Sequence, residues 1–227
     1  MRGKFITFEG GEGTGKSTQT AMLALRLEAL GLAVHLTREP GGSPGAEIIR
    51  HVLLSGAAKP FGPDVEAMLF AAARDDHVQC TILPALNSGK WVICDRFADS
   101  TRVYQGILGQ VDQRLIKGLE RVSIGDLAPD LTLVLDVPVE LGLERVKLRR
   151  GQAKPDRFEA ENVEFHQELR QAYLAIAAEE PERCVVIDAS GPKEAVARTI
   201  WSAVGSRLDP MTFPVNSERR RSEVGAS

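Results

Sequence analysis

The sequence predicts an α/β protein with a doubly wound, five-stranded parallel sheet flanked by helices. Five short apolar runs, Phe5–Phe8, Ala33–Thr37, Trp91–Cys94, Leu131–Leu135 and Cys184–Ile187, are rich in β-branched residues, as strands buried on both faces must be. Segments long enough for a helix separate them, which is the connection that parallel neighbours need. The chain is also of globular composition: 227 residues, 43% hydrophobic and 26% charged. That is enough to bury a core and carries no bias toward disorder, a coiled coil or a membrane protein.

The elements follow in chain order. Phe5–Phe8 runs into a glycine-rich turn, and Ser17 to Leu30 then predicts a helix, with Leu23, Leu27 and Leu30 on one face and Gly31 as its stop. The second strand is followed by a Gly/Pro-rich loop, Gly41 to Gly45, and a shorter helix over Ala46 to Leu54. Asp64 to Leu86 is helical by composition, and Pro84 is expected to kink or divide its last turns. Trp91–Cys94 and Leu131–Leu135 are the third and fourth strands. Val139 to Arg150 is a helix with Pro138 at its start and Gly151 at its end. Another helix covers Glu159 to Ala178, before the last strand. Residues 1–208 read as one domain, with a basic segment at about 145–157, and the Pro-, Ser- and charge-rich residues 209–227 as a disordered tail. The Arg219-Arg220-Arg221 run is read as part of a solvated tail rather than as a nucleic-acid patch.

Lys and Arg number 28 against 31 Asp and Glu, a net charge of −3. This excludes a general nucleic-acid coat and permits a local basic site for a phosphorylated ligand. Cys80, Cys94 and Cys184 are an odd set without C-x-x-C spacing, so a reducing compartment is expected, and Cys94 is read as strand packing. No apolar stretch approaches a membrane span and Lys4 leads straight into a strand, so the chain is read as cytoplasmic. His35, His51, His77 and His166 show no metal-ligand spacing.

The strongest chemical signal is Gly10-Gly11-Glu12-Gly13-Thr14-Gly15-Lys16-Ser17, a complete G-x-x-x-x-G-K-S between a strand and a helix, with Thr18 as the next helical residue. In such a P-loop, backbone N–H groups ring the β-phosphate and the helix N-terminus adds positive potential. Lys16 reaches the β/γ-phosphates as an exposed loop side chain, and the Ser17 hydroxyl ligates Mg²⁺. Trp91 to Arg96 is an apolar strand that ends in Asp95 and Arg96. Asp95 there suggests a role near the metal, directly or through water, and Arg96 can clamp a second phosphate bidentately. Taken alone, the Asp-Arg pair also admits a plainer reading, an ion pair closing the strand.

Further motifs accompany these. Thr37-Arg38-Glu39-Pro40-Gly41-Gly42 follows the second strand, and Phe70-Ala71-Ala72-Ala73-Arg74 lies on the long helix. Asp95-Arg96-Phe97 leads into Ser100-Thr101 and Tyr104-Gln105-Gly106. With the P-loop upstream, the ordered set resembles bacterial thymidylate kinases, over roughly Lys4 to Leu208. The resemblance implies a nucleoside monophosphate kinase-like fold, ATP and dTMP as substrates, Mg²⁺, and a homodimer. It further implies that Phe70 stacks on thymine, Arg74 hydrogen-bonds the base and Thr101 faces its Watson–Crick edge. Tyr104 would sit against the deoxyribose, with Gln105 and Ser100 in the same lining. Arg96 would hold the acceptor 5′-phosphate, approached also by Arg38, and Glu12 would serve the sugar 3′-hydroxyl.

The basic segment fits the same scheme. Arg145, Arg149, Arg150 and Arg157 resemble the lid that closes over the donor nucleotide. The P-loop interior, Gly11 to Thr14, has no basic residue, so a lid arginine is expected to supply the catalytic charge: Arg149, Arg150 or Arg157. Gln152-Ala153-Lys154-Pro155 makes this segment longer than a compact lid. Two alternatives stay open from the sequence: a kinase for another nucleoside monophosphate, and a GTPase-like switch. For the switch, the nearest approach to N-K-x-D is Ala153-Lys154-Pro155-Asp156, which lacks the Asn and follows a helix.

Overall fold

The computed structural model describes residues 1–150, 158 and 161–212. Five strands, β1 (Phe5–Glu9), β2 (Val34–Arg38), β3 (Trp91–Asp95), β4 (Leu131–Asp136) and β5 (Cys184–Asp188), form one sheet in the order β2-β3-β1-β4-β5. Every pairing is parallel. Each strand runs one residue past its predicted apolar run and ends on a charged residue, so that Glu9, Arg38, Asp95, Asp136 and Asp188 line the carboxyl edge. The reason is that the backbone ladder continues where hydrophobicity stops.

β1 is wholly buried because helices cover both faces of the sheet. Its side chains alternate: Ile6 and Phe8 join Leu23, Leu27, Ile93, Ile200 and Val204 on one side, while Phe5 joins Val78, Ile82, Val92 and Phe97 on the other. The one hydroxyl in the middle of the strand, on Thr7, is satisfied by Thr132 Oγ1 across the sheet at 2.8 Å. From β1 the chain crosses to β2 on one flank, and from β3 it crosses to β4 on the other. The crevice therefore opens above the carboxyl ends of β1 and β3, where a doubly wound sheet binds its ligands.

Helix α1 (Lys16–Ala29) opens directly from the glycine-rich turn, and α2 (Pro44–Leu54) begins two residues earlier than expected, with Pro44 in its first turn. The long helix over 62–87 is interrupted as Pro84 requires, but by widening rather than breaking. α3 (Gly62–His77) passes through a π-helical stretch, Val78–Ile82, into α4 (Leu83–Asn87). Pro84 has no N–H to give and its ring crowds the carbonyl four residues back, so the turn before it expands. Besides short 3₁₀ turns, the helical stretches that were not expected are α5 (Ala98–Thr101), the π-helical Arg102–Leu108, α6 (Gln113–Ile124) and, after β5, a helix over Lys193–Leu208. Between them come α7 (Val139–Arg150) and α8 (Val163–Glu179), and Lys193–Leu208 is α9. α8 starts later than predicted because the Asn162 side chain caps it, accepting from the Phe165 N–H at 2.8 Å. A 3₁₀ turn, Pro210–Thr212, follows α9. The expected disorder of the tail falls largely on 213–227, outside the described residues, as does Arg157.

Candidate active site

The glycine turn after β1 needs its glycines. Gly10, Gly13 and Gly15 have φ of 129°, 71° and 92°. A Cβ on Gly13 would lie 2.0 Å from the Gly142 carbonyl, so this residue also lets the turn pack on α7. Lys16 is not the exposed side chain expected: it is 7% exposed. Its Nζ lies back across the loop, donating to the carbonyls of Gly10 at 3.0 Å and Gly11 at 2.7 Å. Burial, and then the nearby Arg96, bring its pKa down to about 8 against the pull of Glu12 and Asp95. At the start of α1, Ser17 Oγ donates to Asp95 Oδ2 at 2.7 Å, joining the P-loop to the end of β3.

Arg96, next after β3, has φ 70°, in the left-handed region that favours glycine. The turn is held by Glu9, a residue the sequence reading passed over. One Glu9 oxygen accepts the Phe97 N–H at 2.8 Å and the other accepts Ser100 Oγ at 2.7 Å. So turned, the Arg96 guanidinium reaches Glu12 Oε1 at 2.5 Å, Ser100 Oγ at 3.3 Å and the Tyr173 hydroxyl at 3.1 Å. It also stands over the Tyr104 ring, 5.3 Å from the centroid. Burial would raise the Glu12 carboxyl, but Arg96 and Lys16 outweigh it and hold the pKa at about 2. Glu9 goes the other way, up to about 7, through burial and the charge of Asp99. Asp99 itself pairs with Arg102 and Arg183.

From this point a cleft of about 310 Å³ runs along the carboxyl edge. Every residue expected to touch the acceptor nucleotide lines it: Glu12, Arg38, Phe70, Arg74, Arg96, Ser100, Thr101, Tyr104 and Gln105. Helical spacing explains how α3 contributes two of them, since Phe70 and Arg74 are four residues apart and share a face. Arg74 donates through Nη2 to Thr101 Oγ1 at 3.1 Å, tying α3 to α5. Tyr104 and Gln105 stand on the π-helical stretch 102–108, where the wider turn brings adjacent residues into one wall. The Tyr104 hydroxyl donates to Glu12 at 3.2 Å, and its ring packs edge-on against Phe158. Arg38 lies at the mouth, paired with Glu47 at 3.0 Å.

At the P-loop end, Gly13, Gly15, Lys16, Ser17, Thr18 and Asp95 line the cleft, while Gly10, Gly11 and Thr14 back the loop on its far side. Of the expected lid arginines, Arg149 lines the cleft and Arg150, at the end of α7, is not among its lining residues. Arg145, read as part of the same basic segment, donates to the carbonyls of Ala189 and Ser190, both at 2.9 Å, and fastens α7 to the loop after β5. Glu9, Glu39, Phe97 and Tyr173 take part without having been singled out. Only Glu9 carried a usable signal, a carboxylate closing an apolar strand immediately before a P-loop.

Comparison with known proteins agrees with this geometry. A family described as thymidylate kinase matches residues 8–200. A protein of Nitrobacter winogradskyi named thymidylate kinase is 64% identical over 207 residues, covering 91% of this chain and 90% of its own. One of Bradyrhizobium diazoefficiens with the same name is 62% identical over 216 residues, 95% of each chain. A third, from Rhodopseudomonas palustris, is 62% identical over 208 residues.

Proposed function

The chain belongs to the thymidylate kinase family, and from that premise we propose how its cleft carries out the family's reaction, transfer of the ATP γ-phosphoryl group to dTMP to give dTDP and ADP. The observation that supports the reading is a single cleft with a P-loop at one end, a base-sized wall of Phe70, Arg74 and Thr101 at the other, and Arg96 between them. Both reactants bring phosphates, so the protein's task is to position them in line and offset charge; no protein nucleophile is required.

ATP binds with its β-phosphate in the ring of P-loop N–H groups. Lys16 then leaves the Gly10 and Gly11 carbonyls for the β/γ-phosphates, where an anion restores the proton affinity that burial has lowered. Arg96 holds the 5′-phosphate of dTMP, and Arg38 approaches it from the mouth. Phe70 stacks on the base, Arg74 and Thr101 read its polar edge, Tyr104 and Gln105 line the sugar, and Glu12 receives the 3′-hydroxyl. The Ser17 hydroxyl and the Asp95 carboxylate, 2.7 Å apart in the cleft, are hard oxygen donors suited to Mg²⁺, with Asp95 acting directly or through water. Held there, such an ion would supply neutralisation of the phosphates' negative charge. Arg149, Arg150 or Arg157 supplies the remaining cation, because no basic residue interrupts the P-loop between Gly11 and Thr14.

The proposal includes a homodimer, implied by the family and compatible with the exposed apolar Ile48 and Met68 on α2 and α3; light scattering tests it. It also includes a cytoplasmic setting for the single domain, in keeping with three unpaired cysteines. Among the described residues no helix is long and apolar enough to cross a membrane. Incubation with ATP, Mg²⁺ and dTMP, followed by chromatography of the products, tests the reaction. Equal ADP and dTDP are expected; ADP formation that ignores dTMP would contradict it.

A further inference from the structure

The base-facing wall of the cleft is fixed from behind by side chains to which the reaction above gives no role. Arg74 is 3% exposed. Its Nε donates to Glu39 Oε2 at 2.8 Å, and its Nη2 donates to the Phe97 carbonyl and to Thr101 Oγ1, both at 3.1 Å. Nη1 makes no hydrogen bond among the described residues, and the side chain lines the cleft. A guanidinium is a rigid planar fork, so fixing Nε and Nη2 also fixes where Nη1 points.

Glu39 is itself held. It is 6% exposed, and its second oxygen, Oε1, lies 3.0 Å from His77 Nδ1. His77 is wholly buried one helical turn beyond Arg74, and its Nε2 is 2.8 Å from Thr37 Oγ1 on β2. Gly42 closes the back of this chain of contacts: a Cβ there would fall 2.3 Å from His77 Nε2 and 2.4 Å from Thr37 Oγ1. The loop carrying Glu39 is pinned to the same helix twice more, through Asp76 to Ser43 Oγ and the Ala46 N–H, and through Thr81 to the Gly42 carbonyl.

We propose that Glu39 and His77 are positioning residues for base selection, holding Arg74 so that its Nη1 meets a pyrimidine keto oxygen and cannot turn away from an amino group. The proposal rests on the thymidylate reading. The chemistry is one-sided: a guanidinium only donates, so a base with a carbonyl at that point is bound and a base with an amino donor leaves two donors facing each other. Discrimination lasts only while Arg74 is unable to rotate. The Glu39 carboxylate, anchored on its far side by His77, fixes Nε and completes the restraint that the Phe97 carbonyl and Thr101 place on Nη2. Phosphoryl transfer itself does not involve either residue, so loosening them should be felt in acceptor binding rather than in the chemical step.

Steady-state kinetics of the full chain with dTMP and dCMP, on variants whose fold is checked by circular dichroism, tests this. Glu39→Gln keeps the shape but loses the charge. It should raise KM for dTMP about tenfold, leave kcat within about threefold and KM for ATP unchanged, and shrink the dTMP-to-dCMP ratio of kcat/KM at least tenfold. His77→Leu should act in the same direction. His77→Asn, whose amide can replace Nδ1, should recover most of the ratio. In an Arg74→Gln background Glu39→Gln should add nothing further. A folded Glu39→Gln protein with unchanged KM and unchanged ratio overturns the proposal, as does an undiminished Glu39→Gln effect without Arg74. If Glu39→Gln or His77→Leu fails to fold, Thr37→Val on β2 decides: it should narrow the ratio, and an unchanged ratio overturns the proposal. Failure of the wild-type protein to use dTMP at all would instead contradict the thymidylate reading.

Discussion

Arg96 sits at φ 70°, a conformation that costs a non-glycine residue about 1–3 kcal/mol and persists only where its surroundings impose it. Glu9 imposes it, at the cost of burying a carboxyl whose pKa rises to about 7 from 4.5. Between those values the folded protein holds a proton that the unfolded chain has released, so stability falls as pH rises through about 4.5 to 7. Glu9→Gln keeps the acceptor for Phe97 and should flatten this slope, a change on the order of 3 kcal/mol at 1.36 kcal/mol per unit. Thermal melting of both proteins at pH 5 and pH 8 checks it; parallel curves would show that Glu9 does not titrate in this window. Glu12 has the opposite sign: its folded-state pKa of about 2 gives stability that is complete above pH 4.5 and lost as pH falls toward 2. Lys16→Ala should lower kcat at least 100-fold, since it removes a cation that stabilises the charge developing on the transferring phosphoryl group. Because Lys16 is buried and bonded to its own loop, a modest fall in Tm should accompany the loss. A folded Lys16→Ala enzyme with normal turnover would refute the mechanism. At this scale the residues in motifs were legible. The supports were not, because Glu9, Glu39 and His77 act through partners 35 to 91 positions away in the chain.

At the scale of elements, each strand was visible because burial on both faces leaves an uninterrupted apolar run. α9 was not among the expected helices, although Val196, Ile200 and Val204 recur at helical spacing and are buried. α6 and the stretch over 98–108 are different cases. α6 buries little beyond Ile116 and Ser123, and the Ala98–Leu108 helix is part π-helical, which no regular period announces. The end of α7 is where the lid prediction belongs. Single alanine substitutions of Arg149, Arg150 and Arg157 should include at least one that lowers kcat far more than it raises KM for dTMP. An arginine acting on the transferring phosphoryl is worth roughly 10³-fold or more. Arg149 is favoured, as it lines the cleft. Near-normal kcat in all three variants would remove the lid from the mechanism.

For the whole molecule, a net charge of −3 coexists with a cleft lined by Lys16, Arg38, Arg50, Arg74, Arg96 and Arg149, so phosphate binding is local and owes nothing to total charge. The fold sets this up: the crevice above β1 and β3 gathers the P-loop, the Asp95-Arg96 turn and the face of α3 into one channel. In the proposed binding mode a thymine methyl beside Phe70 would be worth about 0.8 kcal/mol, so dUMP should be weaker by only about four- to tenfold. In the same mode UMP would add a 2′-hydroxyl against Tyr104, and dCMP would leave buried polar groups unmatched at about 1–3 kcal/mol each. The most direct measurement is kcat/KM for dTMP, dUMP, UMP, dCMP, AMP and GMP at saturating ATP and Mg²⁺. The cleft predicts dTMP first, then dUMP, then UMP and dCMP, with the purine nucleotides near zero; a preference for dCMP or GMP over dTMP would contradict it.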